Sequence, residues 1–262
     1  MANGKPLDGK VAIVTGASRG IGRAIALRLA QDGAALALAS RTEADLAKVK
    51  SEIERAGGRA TCHPGDLRGS ETPAAVAKAA VTAHGGIDIL VNNAGATKRG
   101  DFFELTEADW ADGFALKFLC MVRLTRAAWP HLKARGGTVL NIIGAGGRTP
   151  TAEFTIGGSV NGACLSFTKA IADLGIRDGV QVNAINPGRV KTDRLKQLLA
   201  QEAAERGGDV NAAVAEIIRQ SNIVRLGEPE DVANLAAFMV SPESRYMQGS
   251  FIDLDGGQTK TI

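Results

Sequence analysis

The chain of 262 residues contains one tyrosine, three cysteines and three histidines. Each scarcity removes a class of chemistry. Cys62, Cys120 and Cys164 are odd in number and lack CxxC spacing, so neither a disulfide framework nor a thiolate metal site is expected. They read as buried or half-buried thiols of a reducing compartment. His63, His84 and His131 are scattered and make no zinc-binding pattern. Any phenol must come from Tyr246, far towards the C-terminal end. No apolar run reaches the roughly 18 residues of a membrane span, and the polar opening MANGKPLDGK has no export-signal core, so a soluble cytoplasmic protein is expected. The formal charge of +3 is spread without blocks of like sign, which argues against a nucleic-acid tail or a polybasic membrane anchor.

What is present suits a large core. Hydrophobic residues make up 45% and charged residues 23%, in a length that single α/β domains reach. Short apolar runs, KVAIVTG (10–16), AALALAS (34–40), RATCHPGD (59–66), IDILVNNAG (87–95), GTVLNIIG (137–144), VQVNAINPG (180–188) and GSFIDLDGG (249–257), alternate with helical patterns. The patterns fall at 21–31, 42–57, 72–86, 110–126 and 160–174. Strands this apolar need cover on both faces, and strand–helix alternation implies right-handed crossovers. The expected fold is α/β: one Rossmann-type domain over 1–262, a doubly wound parallel sheet with helices on both faces.

TGASRGIG (15–22) follows the first strand and opens the first helix. Gly16, Gly20 and Gly22 permit a sharp turn and close backbone approach, while Ser18, Arg19 and Ile21 bring N–H groups to the positive end of a helix. That is the apparatus for a dinucleotide pyrophosphate. The second strand ends in Ser40-Arg41 rather than in an acidic residue that would bind both ribose hydroxyls and repel a 2′-phosphate. Arg41 and Arg19 converging there suit a phosphate dianion, so NADP(H) is expected over NAD(H).

From about Leu7 to Gln258 the chain resembles a short-chain dehydrogenase/reductase. The likeness rests on TGASRGIG, Asp66-Leu67, NNAG (92–95), NAINPGRVKT (183–192), RLGEPEDVA (225–233) and IDLDGG (252–257), in order and at family spacing. It implies that Asp66, beside Leu67, meets the adenine amino group. It implies too that Asn93, Ala94 and Gly95 back the adenosine and ribose, and that Pro187, Gly188, Val190 and Thr192 line the nicotinamide carboxamide.

The resemblance also implies an asparagine, a serine, a tyrosine and a lysine that manage the proton while hydride is transferred. Counting from intact landmarks, the asparagine falls at Lys117, the serine at Gly144, the tyrosine at Gly157 and the lysine at Asn161. Ser166 and Lys169 spell S-x-x-K without the companion motifs of serine acylases, which makes the match a coincidence. With Tyr246 the sole phenol, no small shift of register restores the set, and two small residues leave space that water can fill. Lysine and asparagine stand as though exchanged. Lys117 reads either as a desolvated ammonium acting beside Asn161 as proton donor or clamp, or as a residue reaching solvent or pairing with Asp112 or Glu153. Glu153, Thr155 and Ser159 are further polar candidates for the cavity, and the sequence leaves their orientation open.

Residues 193–224 carry two helical stretches, with Leu195, Leu198 and Leu199 on one face and Val214, Ile217 and Ile218 on another. They read as a lid over a partly apolar small molecule, or as core or subunit contacts. Small residues on the 160–174 helix, with the resemblance, imply a homotetramer or homodimer. Three functions remain open at this level: an oxidoreductase on a carbonyl or alcohol by a non-standard proton route, a silent NADP(H)-binding sensor or partner subunit, and a lyase or isomerase using the same cavity.

Overall fold

The computed structural model describes residues 4–193, 195–196, 199–200 and 208–261. Seven apolar runs become β1 (Val11–Thr15), β2 (Ala35–Ser40), β3 (Arg59–Pro64), β4 (Ile89–Asn92), β5 (Thr138–Ile142), β6 (Gln181–Pro187) and β7 (Phe251–Leu254). They form one sheet in the order β3-β2-β1-β4-β5-β6-β7, parallel at every pairing. Each strand is shorter than its run, because flanking glycines and polar residues turn out of the ladder. Gly16, at φ +66°, ends β1 in this way.

Alternation along β1 divides the core. Ala12 and Val14 pack with α1 (Gly20–Gln31), α2 (Glu43–Arg55) and α8 (Pro229–Val240) on one face. Ile13 packs with α3 (Thr72–His84), α5 (Cys120–Arg135) and α6 (Thr155–Asp178) on the other. Both faces are covered, as parallel strands require. The order reverses between β1 and β4, where doubly wound sheets open a crevice beyond their strand ends.

The helical pattern at 110–126 differs from the structure. It resolves into α4 (Glu107–Gly113), a π-helical turn over Phe114–Leu119, and α5, which runs on to Arg135 with Pro130 inside it. α6 starts five residues before its periodic pattern and spans 24 residues. α8 was legible only as a motif, yet it carries a start signal: Pro229 in its first turn and a capping box between Glu228 and Asp231. Leu195 and Leu199 bury in a small separate cluster with Ile217 of α7 (Val210–Ser221), flanked by Val214 and Ile218. Leu198 and most of the 194–207 stretch lie outside the described residues.

A buried polar chain ties the middle strands to the helices. The Asn92 amide donates to Asn141 Oδ1 (2.9 Å) and Thr125 Oγ1 (3.1 Å). The Asn141 amide donates to Thr168 Oγ1 (2.9 Å), and that hydroxyl donates to the Cys164 carbonyl (2.7 Å). Replacing Asn141 by Leu removes two of these bonds and strands part of the Asn92 amide. Thermal denaturation is expected to show a loss of about 2–3 kcal/mol, a fall in Tm of about 5–10 °C.

Candidate active site

The tips of β1 and β4 are locked together by one hydroxyl. Thr15 Oγ1 accepts from the backbone N–H of Asn93 (2.9 Å) and of Ala94 (3.0 Å) and donates to the Val91 carbonyl (3.3 Å). The Asn93 amide donates back to the Thr15 carbonyl (2.9 Å). The glycine turn closes onto this lock. A Cβ at Gly16 would lie 2.8 Å from Asn93 Nδ2, and one at Gly22 only 2.3 Å from the Gly16 carbonyl oxygen. No side chain caps the N-terminus of α1, so its first N–H groups face the turn uncapped.

Beyond the strand ends lies a cleft of about 1040 Å³. Gly16, Ser18, Arg19, Gly20, Ile21, Gly22, Ser40, Arg41 and Leu67 line it, as do Asn93, Ala94, Gly95, Pro187, Gly188, Val190 and Thr192. The sequence motifs had proposed all of these. Ser40 Oγ is buried with no hydrogen-bond partner in the structure, and the exposed Arg41 follows it. A buried hydroxyl left without a partner costs free energy, and an incoming oxyanion would relieve that cost. Asp66 stands outside the cleft lining, half-exposed past the end of β3. Its carboxylate accepts the Arg68 backbone N–H (3.0 Å) and the Arg68 guanidinium (3.2 Å), and that backbone bond is the first cause holding its pKa below the usual carboxylate range.

At the far end Lys117, Gly144 and Asn161 also line the cleft. Lys117 sits on the π-helical turn, a local irregularity frequent at functional sites. Its ammonium donates to the Ile143 carbonyl, and its stem lies so close to Gly95 that a Cβ there would meet Lys117 Cδ at 2.8 Å. Asp112, one partner considered for it, pairs with Arg68. Asn161 is buried, with Nδ2 3.2 Å from where a Gly144 Cβ would be. Gly144 itself adopts φ +131°, a conformation a side chain would strain.

Gly157 is buried and absent from the cleft lining. A Cβ there would fall 2.0 Å from Phe154 Cζ, inside the ring's own volume. The expectation that water fills this space is therefore corrected: the Phe154 ring fills it. On that ring rests the Arg99 guanidinium, 4.3 Å from the centroid. Glu153 lines the same cleft, whereas Thr155 and Ser159 do not. Tyr246 is fully exposed and lies outside the lining. Sequence reasoning missed Arg99 and Phe154 because neither belongs to a motif. The TAEF segment ahead of the helix could have flagged only a bulky side chain next to a glycine pair.

The cysteines behave as buried thiols. Burial pushes Cys120 up to about 12 and Cys164 up to about 11, the latter opposed by the Lys117 charge. Half-buried Cys62 is raised as well, chiefly by desolvation. Among the described residues, no group of three or more His, Cys, Asp or Glu side chains could hold a metal ion, and no helix is long and apolar enough to cross a membrane.

Comparison with known proteins agrees with this geometry. A family model described as short chain dehydrogenase matches residues 10–203. An uncharacterized oxidoreductase of Mycobacterium tuberculosis, MT0954, is 36% identical over 255 residues, covering 97% of this chain and 93% of the relative. The crystal structure of L-sorbose reductase from Gluconobacter frateurii, complexed with NADPH and L-sorbose, superposes with a TM-score of 0.95 at 32% identity over the whole of both chains. A short chain dehydrogenase from Burkholderia cenocepacia in complex with NADP follows at 0.86 and 32%, covering 97% of this chain and 99% of that one. The chain belongs to the short-chain dehydrogenase family.

Proposed function

We propose that the protein is an NADP(H)-dependent oxidoreductase acting on the carbonyl or alcohol group of a small, partly apolar molecule, with a non-standard route for the proton. The observation that carries this reading is the contrast within one cleft. The dinucleotide end keeps every feature a pyrophosphate needs, while the place expected for a tyrosine is occupied by the Phe154 ring.

The residues present fit the cofactor. The turn from Gly16 to Gly22 and the uncapped start of α1 would take the pyrophosphate. Ser40 Oγ, buried without a partner, would take the 2′-phosphate with Arg41 and Arg19. By family resemblance, Asp66 and Leu67 would border the adenine and Asn93–Gly95 the adenosine. Pro187, Gly188, Val190 and Thr192 would border the carboxamide. When bound, the nicotinamide exchanges hydride with the substrate carbon, which leaves one proton to be managed at the oxygen.

This chain's own groups for that proton are limited. In the proposed assignment Lys117, Gly144, Gly157 and Asn161 replace the family's asparagine, serine, tyrosine and lysine. The Lys117 ammonium carries protons at Nζ on the cleft wall and spends one on the Ile143 carbonyl. The Asn161 amide, buried beside Gly144, offers N–H donors that would orient an oxygen. Leu116, Ile142 and Phe154 in the lining would exclude water from an apolar part of the substrate. A second reading, a cofactor-binding sensor or partner subunit without turnover, is favoured by the same filled tyrosine space. Exposed Leu119 on the π-helical turn and Ile176 on α6 support assembly as a homotetramer or homodimer.

Three outcomes are expected. Arg41→Ala should weaken NADPH binding roughly 10- to 100-fold, the value of one or two charge-assisted hydrogen bonds, and leave NADH within about twofold by fluorescence titration. Lys117→Met should lower turnover by about 10²–10⁴-fold while NADPH affinity holds; unchanged turnover removes the proton role. Gly157→Tyr should gain no activity and lose about 3 kcal/mol or more by overpacking. Adding Phe154→Ala should return much of that loss, read as a double-mutant cycle in denaturant.

A further inference from the structure

Arg99 belongs to no sequence motif and has no place in the cofactor cradle, yet it stands in the same cleft wall as Lys117 and Asn161. A series of contacts brings it to the reactive end. The Lys117 ammonium rests on the Ile143 carbonyl, and Gly144 follows in the chain. Asn161 Nδ2 lies 3.2 Å from the Cβ position of Gly144 and 3.6 Å from that of Gly146. The Phe154 ring lies 3.0 Å from the same Gly146 position, and Arg99 is stacked on Phe154. Two basic side chains therefore share the cleft wall with Gly144 and Asn161, and Glu153 and Asp193 are acidic residues of the same lining.

We propose that Arg99 and Lys117 together recognise a negatively charged group, a carboxylate or a phosphate monoester, on the substrate. The protein would then act on small anionic carbonyl or alcohol compounds. This rests on the reading of the cleft as an NADP(H) and substrate site. Stacking engages the face of a guanidinium and fixes its plane, and its in-plane N–H fork is the geometry that pairs with a carboxylate or phosphate. Lys117 adds a point charge from the π-helical turn. A neutral substrate gains only ion–dipole hydrogen bonds from the two cations, whereas an oxyanion gains the stronger charge-assisted pairs. Glu153 and Asp193 are acidic residues of the same lining and compete with a substrate anion for these cations.

The test is calorimetric titration of the NADPH-loaded chain with levulinate and dihydroxyacetone phosphate, against their neutral counterparts methyl levulinate and dihydroxyacetone, and L-sorbose. At least one anion should bind roughly tenfold or more tightly than its neutral counterpart and than L-sorbose, the value of a charge-assisted hydrogen bond. Preference for levulinate alone identifies a carboxylate, and preference for the phosphate alone a phosphate monoester. Arg99→Met should bring the preference to within about twofold, Arg99→Lys should keep part of it, and Glu153→Gln should strengthen it. NADPH affinity should be unaltered in Arg99→Met, since this exposed residue lies outside the cradle. Equal binding of anions and neutral counterparts, L-sorbose binding as tightly as either anion, or a preference that survives Arg99→Met overturns the proposal. Failure of the unmodified chain to bind NADPH would instead remove the reading beneath it, and the inference with it.

Discussion

The Thr15 hydroxyl is the constraint on which the cleft depends. It sits where the strand order reverses and holds the backbones that leave β1 and β4 in fixed register through two accepted N–H bonds and one donated bond. Everything at the nucleotide end follows from that closeness. Gly16 and Gly22 have no room for a Cβ because Asn93 and the Gly16 carbonyl already occupy it. The chain must therefore turn tightly into α1, and the helix's first N–H groups are left facing the cleft. Geometry of this kind is set by the backbone, so it tolerates wide change elsewhere in the molecule.

The far end of the cleft, which carries the positions proposed for the proton chemistry, is held by side-chain packing. Gly144 adopts a left-handed conformation, Asn161 leans to within 3.2 Å of its missing Cβ, and Phe154 occupies the space next to Gly157. These changes support one another. A side chain at 144 would be strained and crowded by Asn161, and one at 157 would collide with the Phe154 ring. A side chain added at either glycine therefore meets a neighbour that already fills the space.

Much of this was legible in the sequence, for identifiable reasons. The strands read correctly because fully covered parallel strands are continuous apolar runs, and the glycine turn read correctly because its spacing reports a backbone requirement. The division of the 107–135 region into α4, a π-helical turn and α5 left no periodic signature, since one inserted residue shifts the face by less than a full turn. Phe154 and Arg99 escaped because neither lies in a motif: the ring folds back onto a glycine three residues on, and the guanidinium arrives across the fold from the loop after β4. Asp66 lies just past β3, but its carboxylate turns to Arg68 and stays out of the cleft lining.

Under the proposed assignment, exchange of lysine and asparagine is not a symmetrical swap. A lysine rising from α6 would start beside Gly144 and Gly146, deep in the wall, where Asn161 now lies buried. Lys117 instead starts from the π-helical turn and reaches across Gly95 on a four-carbon stem to the end of β5. Its charge therefore enters from a different element, just past the end of β5, where the Ile143 carbonyl anchors it. An ammonium held there cannot lower the pKa of a phenol that does not exist; what it can do is carry a proton or fix an anion. The Phe154 ring makes the same choice from the other side, since an aromatic face cannot supply a proton but does hold a guanidinium. Under that assignment an ammonium and a guanidinium held over Phe154 stand in place of a phenolic proton source, and that is the physical basis of the anionic substrate proposed above.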